Sequence, residues 1–303
     1  MPWIQVSDYT ATGWALETDI SSRARYYCGQ LEQGKILSFR KPPFTLTEEE
    51  RSFLVSIRPG DSRLHKNVSY RPVPDVLRGF SDGQENARRM HRLLRDYSRR
   101  AREFVSRFLA PYAGHLRLDY ASFRPLEEAG RDLPLHKKND LLHVDAFPTR
   151  PTRGGRILRV FTNVNPTRNR EWFVSDPFPL LAERYAVQAG IQRVAATRVG
   201  GQLKRLMRRL GLPVTDRSPY DRFMLRFHDF LKENAVYQES CKKVRLEFPP
   251  LTTWLVFTDG VAHAVLSGQY AIEQTFVVPV ESLVSPEHAP IRVLESTWGQ
   301  TLS

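Results

Sequence analysis

The chain reads as an α+β protein: a closed or double-sheet β core, long helices ahead of it and a helical insert inside it. Three observations predict this. Short strand-like runs bounded by Gly and Pro turns occupy two separate stretches of the chain, at about 115–175 and 243–280. A long amphipathic stretch, Asp82 to Ala110, precedes the first of them. Between the two stretches the pattern changes from strand-like alternation to helical periodicity over residues 178–235. A doubly wound parallel sheet is argued against, because it needs βαβ alternation and a Gly-rich phosphate loop. Gly154-Gly155 and Gly200-Gly201 match no such spacing.

Taken in order, residues 1–45 hold Trp3, Trp14, Tyr26 and Tyr27 and read as short strands and loops closed by Pro42-Pro43. Thr47 followed by Glu48-Glu49-Glu50 is a capping-box pattern and predicts a short helix at about 47–57. Residues 58–80 read as loop. In the long helix, Met90, Leu93, Leu94, Tyr97, Ala101, Phe104, Val105 and Phe108 recur on one face. Arg88, Arg89, Arg92, Arg95, Arg99, Arg100 and Arg102 lie on the other, which is read first as a solvated face and second as a surface for anionic headgroups. Pro111 and Gly114 end it. Strands are predicted at Leu116–Phe123, Arg156–Val164 and Glu171–Val174. The insert should carry helices at Leu180–Val187, Gln202–Leu210 and Tyr220–Leu231, with Arg193, Arg198, Lys204, Arg205, Arg208 and Arg209 at its centre. Strands return at Lys243–Phe248, Thr253–Thr258, Ala262–Leu266 and Gln269–Val278, with Asp259-Gly260 and Ser267-Gly268 as turns.

Composition narrows the function classes. A hydrophobic content of 41% supports a real core and excludes a disordered chain. Lys and Arg number 45 against 33 acidic residues, a net charge of +12, which favours an anionic partner: nucleic acid, acidic lipid or a polyanionic small substrate. Cys28 and Cys241 alone make neither a disulfide framework nor a zinc site and fit a reducing compartment. Met1 to Asp19 lacks the basic start and apolar run of a signal peptide, and no stretch has the length of a transmembrane helix. The protein is expected to be cytoplasmic and soluble, or at most bound to a membrane surface. Nucleic acid is disfavoured because no aromatic-rich basic stretch of the RNA-binding kind is present.

The chemistry concentrates in Leu141-Leu142-His143-Val144-Asp145-Ala146-Phe147. In an extended segment, residues two apart face the same side, so an imidazole and a carboxylate stand together. That pair is two thirds of the two-histidine, one-carboxylate triad that holds non-haem Fe(II) and leaves open positions. Among the eight histidines, only His143 has an acidic residue two places on. The third ligand is expected at His263, where a new strand follows the Asp259-Gly260 turn. His228 lies beside Phe227 and Phe230 on an amphipathic helix and reads as a packed histidine.

This order resembles the Fe(II)/2-oxoglutarate-dependent dioxygenases over roughly residues 115–280. The resemblance implies a double-stranded β-helix, a jelly-roll core. It also implies three metal ligands (His143, Asp145 and His263) and a basic residue that anchors the far carboxylate of 2-oxoglutarate. Many members place that residue ten or eleven positions after the distal histidine, where this chain has Glu273 and Gln274. Others place it on the strand after the His-x-Asp motif, which points to Arg159, with Asn163 and Gln274 in support. The alternative for Arg159 is a salt bridge to a core acid, since an unpaired buried charge is costly.

Read together, His-Val-Asp-Ala-Phe-Pro-Thr-Arg-Pro, Arg-Ile-Leu-Arg-Val-Phe-Thr-Asn-Val-Asn-Pro and the His263 strand are similar to the Kdo hydroxylases of Gram-negative bacteria. That resemblance implies one dioxygenase domain over 1–303, with N-terminal helical and mixed support at 1–114, a β core at about 115–175 and 243–280, and a helical insert at about 178–235. It implies Fe(II), 2-oxoglutarate and O2 as cofactor and co-substrates. The reaction implied is hydroxylation of 3-deoxy-D-manno-octulosonic acid (Kdo) at carbon 3, giving Ko on Kdo–lipid A in lipopolysaccharide biosynthesis. Arg150 and Arg153, on the loop after the motif, are then the candidates for holding this anionic glycolipid. The competing readings are a dioxygenase acting on nucleic acid or protein, and a cupin-like anion-binding module without turnover.

Overall fold

The computed structural model describes residues 1–10, 14, 20–57, 67–196 and 217–302. Among them, two sheets hold the strands. The larger runs in the order β1 (Trp3–Gln5), β2 (Ile36–Phe39), β9 (Thr253–Phe257), β6 (Arg156–Asn163), β11 (Ala271–Val278), β5 (Arg117–Arg124), β3 (Val68–Arg71), β4 (Val76–Arg78). The smaller is β10 (Val261–Ser267), β7 (Arg170–Pro177), β8 (Val244–Phe248). Apart from the parallel β1–β2 pair, neighbouring strands are antiparallel. The Leu141–Asp145 segment joins the small sheet through one bridge, His143 to His263.

Alternation along the strands builds two cores. One face of the large sheet sends Phe161, Trp254 and Val256 against Trp172, Val174, Leu246 and Phe248 of the small sheet. Trp254 stacks on Phe161 at 5.2 Å and on Phe248 at 3.9 Å, and Trp172 meets Phe161 edge-on at 5.1 Å. The opposite face carries Leu158, Val160, Leu255, Phe257, Ile272 and Phe276 into a larger core shared with the helices. Every residue of β9 and β11 is therefore buried. A sheet covered on both faces loses the polar half of its alternation. Strand β9 accordingly reads as a near-continuous apolar run, whereas β11 carries Glu273, Gln274 and Thr275 at its centre.

The helices follow the sequence closely where periodicity or capping was strong. Helix α1 is Ile20–Glu32, α2 is Glu48–Ser56 and α3 is Gln84–Phe108. In α2 the capping box forms as expected: Thr47 Oγ1 accepts from Glu50 N at 3.1 Å and Glu50 accepts from Thr47 N at 2.8 Å. Helix α3 buries the predicted stripe, and its Tyr97 hydroxyl reaches Thr162 on β6 at 3.3 Å. Its arginine face is largely paired with acids, Arg89 with Glu49 and Arg99 with Glu103 among them.

Two expectations for the N-terminal region are corrected. Residues 1–45 contain α1, whose Ala24, Tyr27, Cys28 and Leu31 are buried at helical spacing; the aromatic pair Tyr26-Tyr27 masks that period. In residues 58–80, 58–66 lie outside the described residues and the rest folds as the β3–β4 hairpin, with Pro72-Val73-Pro74-Asp75 as its turn. Half of the large sheet's strands thus come from residues 3–78, so this region extends the sheet as well as covering it.

Within the insert, α4 (Phe178–Tyr185), α5 (Ile191–Ala196), α6 (Pro219–Glu233) and α7 (Ala235–Ser240) are described. The expected Gln202–Leu210 helix, Arg198, Lys204, Arg205, Arg208 and Arg209 lie outside the described residues. Helix α6 starts on a Ser218–Asp221 capping box with Pro219 in its first turn. Asp221 also accepts the backbone N–H groups of Thr152 (2.8 Å) and Arg153 (3.1 Å), which ties the 148–155 loop to the insert. Helix α8 (Pro290–Trp298) closes the chain. No helix among the described residues is long and apolar enough to cross a membrane.

Candidate metal centre

His143 and His263 face each other across antiparallel backbone. His143 N–H donates to His263 O at 3.1 Å and His263 N–H to His143 O at 3.0 Å. This reciprocal pair sets the imidazoles side by side, with ring centroids 4.7 Å apart. Asp145, two residues on, is fixed by its N–H donating to Thr258 O at 2.8 Å. The outer edge of the segment is held by a side chain. Gln238 of α7 accepts from Leu142 N through Oε1 and donates to Leu142 O through Nε2, both at 2.9 Å. Its amide thus fills the place of a neighbouring strand's peptide.

The rings are oriented by carbonyls. His143 Nδ1 lies 2.7 Å from Leu141 O, and His263 Nδ1 lies 3.1 Å from Val261 O. Each Nδ1–H is thereby the donor, and each Nε2 keeps its lone pair for a metal. Burial pushes the His143 imidazolium down to about 3, against a partial opposing pull from Asp145, and burial likewise lowers His263. Both are neutral, as ligation requires. Burial alone would raise the Asp145 carboxyl. The Arg159 guanidinium and then His143 override it and hold Asp145 well below the usual range. His143 Nε2 lies 3.6 Å from Asp145 Oδ1.

Arg159 reaches across from β6. Its Nη2 lies 2.9 Å from Asp145 Oδ2 and its Nη1 3.0 Å from Glu273 Oε1 on β11. Glu273 in turn takes a fork from Arg124 of β5, with both bonds at 3.0 Å. Burial would raise the Glu273 carboxyl, but Arg124 and Arg159 lower it. A cavity of about 140 Å³ opens here, its wall shared by His143, Asp145, His263, Arg124, Arg159, Arg170, Phe161 and Trp172. Trp172 stacks on His263 at 5.2 Å. Arg170, on β7, donates to Gly268 O at 2.8 Å, and burial lowers its guanidinium to about 10. The Nε groups of Arg159 and Arg170 are buried without an acceptor among the described residues.

The structure therefore brings together His143, Asp145, His263 and Arg159, and it parts them from the other candidates. Asn163 is consumed by the turn after β6, donating to Arg168 O and Phe248 O at 2.9 Å each and accepting from Asn165 N at 3.0 Å. Gln274 faces away from the cavity because neighbours on a strand point to opposite sides, and Glu273 takes the inward side. Its Nε2 donates to Asp119 O at 3.0 Å and Thr275 O at 2.6 Å. Neither residue lines the cavity. Arg150 pairs with Asp119 and lies over Tyr120 at 3.9 Å and Phe147 at 4.2 Å. Arg153 is exposed on the same loop with φ of 55°. Both sit on the loop after the motif, outside the cavity wall.

Sequence reasoning missed several residues of the centre. Arg124 and Arg170 sit in or beside strand runs, and only the strand order reveals that they converge. His228 of α6, read as a packed histidine, lies edge-on to His143 with centroids 4.9 Å apart. Gln238 carries no sequence signal for its role.

The donor set, two neutral imidazoles and a charged carboxylate beside buried arginines, fits a non-haem metal with an anionic co-substrate. A sequence model of the 3-deoxy-D-manno-oct-2-ulosonic acid (Kdo) hydroxylase family matches residues 15–301. Crystal structures of the Kdo hydroxylase KdoO are similar over the whole chain. That protein is described as a non-haem Fe(II) α-ketoglutarate-dependent dioxygenase. Its complex with α-ketoglutarate and Fe(III) is 35% identical, covers 100% of this chain and 97% of KdoO, and has a TM-score of 0.83. Its complex with cobalt(II) has the same identity and coverage and a TM-score of 0.84. Its complex with succinate and Fe(III) is 34% identical at the same coverage, with a TM-score of 0.83. No curated protein sequence matches the chain. With a family match over nearly its full length and a solved relative covering all of it, the chain belongs to the Kdo hydroxylase family.

Proposed function

We propose that this chain hydroxylates a Kdo unit of Kdo–lipid A at carbon 3, using Fe(II), 2-oxoglutarate and O2. The observation that carries the reading is the reciprocal His143–His263 pair with Asp145 beside it, in a cavity walled by arginines. His143, Asp145 and His263 would hold the ion. When bound, the ion and 2-oxoglutarate supply the oxidising chemistry, and succinate and carbon dioxide leave as one oxygen enters the sugar.

The protein's part is placement and exclusion of water. Arg159 keeps Asp145 ionised and, with Arg124 and Arg170, offers guanidinium N–H groups to the co-substrate's far carboxylate. The unpartnered Nε groups of Arg159 and Arg170 support this, since a buried donor is costly until satisfied. Arg150 and Arg153 take the substrate's carboxylate and phosphates at the rim, in keeping with the net charge of +12.

The strand order also supports a double-stranded β-helix. In chain order the eight core segments are β5, Leu141–Asp145, β6, β7, β8, β9, β10 and β11. They fall into the two sheets as β9-β6-β11-β5 on one side and β8-β7-β10 plus the His143 segment on the other, changing sheet at every step except β7 to β8. The whole chain then forms one dioxygenase domain. Peripheral contact with the cytoplasmic face of the inner membrane belongs to the same reading, because the substrate is a membrane glycolipid.

The test measures succinate from 2-oxoglutarate with Fe(II), ascorbate and Kdo–lipid A, with mass spectrometry of the glycolipid. Substrate-dependent succinate and a gain of one oxygen, both lost in His143→Ala, are expected. Protein that binds iron but turns over 2-oxoglutarate without modifying Kdo–lipid A would reject the substrate. Protein that binds no iron would reject the centre.

A further inference from the structure

The large sheet is wider than the cavity it floors. The apolar core between the two sheets draws on β1, β2, β6 and β9 of the large sheet and β7, β8 and β10 of the small one, and no described residue of β3, β4 or β5 joins it. The face of β5, β3 and β4 beyond the cavity therefore has no second sheet packed on it. Alternation says which side chains stand there. Asn67 and Arg124 line the cavity. At two-residue steps from them, Ser69 and Arg71 follow on β3, and Ser122 and Tyr120 on β5. The side chains between, Val68, Tyr70, Ala121 and Phe123, are buried in the core shared with the helices. The register agrees, since Ser69 stands opposite Ser122 on β5 and opposite Arg78 on β4.

This face is cationic. The guanidinium of Arg71 lies over Tyr120, 5.0 Å from the ring centroid, and that of Arg150, from the loop after Asp145, lies over the same ring at 3.9 Å. Arg150 is neutralised by Asp119. Among the described residues Arg71 pairs with no acid, and its Nε is buried without an acceptor. Arg78 stands exposed on the neighbouring strand. Two guanidiniums against one ring repel each other, and a buried donor without an acceptor is costly. An anion resting there relieves both penalties. The patch is also joined to the cavity. Arg150 lies over Phe147 at 4.2 Å, and so does Arg159 of the cavity wall at 5.8 Å.

We propose that Arg71, with Arg150 against the same Tyr120 ring, forms a second anion subsite that holds an oxyanion of the glycolipid, a phosphate or a sugar carboxylate, outside the cavity. The inference rests on the substrate reading above and deepens it, adding Arg71 and the β3–β4 hairpin to the substrate surface. A planar guanidinium fork matches the oxygens of either group. The column Arg71, Tyr120, Arg150, Phe147, Arg159 fixes the place of this subsite relative to the cavity. The subsite therefore selects substrates by the span between their oxyanion and the reacting carbon.

The test varies Kdo–lipid A at saturating Fe(II) and 2-oxoglutarate and compares wild-type protein with Arg71→Gln and Arg71→Lys. Arg71→Gln should raise KM for the glycolipid about 10–100-fold, with kcat and the 2-oxoglutarate requirement unchanged, and Arg71→Lys should recover part of the loss. Two altered substrates identify the oxyanion: Kdo–lipid A stripped of its phosphates, and Kdo–lipid A with its sugar carboxyl reduced to an alcohol. On the substrate that lacks the recognised group, wild type and Arg71→Gln should share one KM. That result with the first assigns a phosphate, and with the second a carboxylate. An unchanged KM in Arg71→Gln on the intact substrate overturns the inference. So does a defect that persists undiminished on both altered substrates, or a fall in kcat without a rise in KM. Wild-type protein that turns over 2-oxoglutarate and leaves Kdo–lipid A unmodified overturns the substrate reading and this inference with it. Circular dichroism checks folding, and if Arg71→Gln is unfolded, Arg150→Gln is read by the same criteria.

Discussion

Strand β6 carries two buried arginines three residues apart, and they do different work. Arg156 is fully buried and pairs with Asp259 through Nε and Oδ2 at 3.0 Å, with its guanidinium over Phe257 at 4.3 Å. That pair pins the Asp259-Gly260 turn just before the His263 strand. A Cβ on Gly260 would stand 2.1 Å from Arg156 Nη2, so any larger residue there would push the guanidinium from its place. Arg159 also pairs with acids, Asp145 and Glu273, but it stands in the cavity wall. Both are arginines in one apolar strand, and both meet the requirement that a buried charge be compensated. The difference is access. One ion pair is closed off and can only shape the chain; the other borders the cavity lined by His143, Asp145 and His263, where a ligand can reach it.

The comparison can be broken most forcefully at Arg156. Arg156→Leu leaves Asp259 buried and uncompensated and should cost about 3–5 kcal/mol of stability, read by denaturant unfolding. The fraction that stays folded should keep wild-type affinity for 2-oxoglutarate. A selective loss of that affinity would erase the distinction between the two arginines.

Arg159→Leu should do the reverse. Loss of a charge-assisted contact worth about 1.5–3 kcal/mol predicts a rise in the 2-oxoglutarate requirement of roughly 10–100-fold. Its stability cost should be smaller than that of Arg156→Leu, because Arg124 still grips Glu273. Titration of 2-oxoglutarate against succinate formation measures the first effect, and urea unfolding the second.

The smallest expected effect lies in the acid limb of stability. Burial raises the Asp259 carboxyl above 3.8 despite Arg156. Its folded form therefore holds more protons than its unfolded form between 3.8 and the raised value, and its contribution falls as pH rises through that window. Glu273 is the opposite case: burial would raise it, but Arg124 and Arg159 hold it below 4.5. Its stabilisation is present above 4.5 and is lost as pH falls through its lowered folded value. Asp259→Asn should steepen the gain in stability with pH, and Glu273→Gln should flatten it. Each change is bounded by about 1.4 kcal/mol per pH unit. Acid titration of unfolding free energy checks the signs.

This pair of arginines also shows how far the sequence can be read. His143 and Asp145 were legible because extended backbone makes their proximity a local fact, and His263 because a turn signal precedes a strand. The α2 capping box and the α3 stripe were legible for the same reason. Arg159 was recognisable as a residue needing an acidic partner, but its partners lie across space. Glu273 was noted only for not being the expected anchor, yet it joins Arg124 on β5 to Arg159 on β6 because β11 runs between those strands. Asn163 and Gln274 are engaged locally in ways that the sequence does not show: one amide binds the turn after β6, and the other binds Asp119 O and Thr275 O. His228 carried the pattern of a core residue, and only the tertiary packing of α6 against the His143 segment brings its ring edge-on to His143 at 4.9 Å.

The Gln238 clamp on Leu142 has a consequence for how the protein behaves at high concentration. A strand at the margin of a sheet exposes backbone donors and acceptors that invite pairing with another molecule and, in time, fibrous aggregation. The His143 segment occupies such a margin, and one glutamine amide occupies both groups at its centre. The residue that steadies the His143 segment therefore also blunts an adhesive border, so its loss would be felt in solubility.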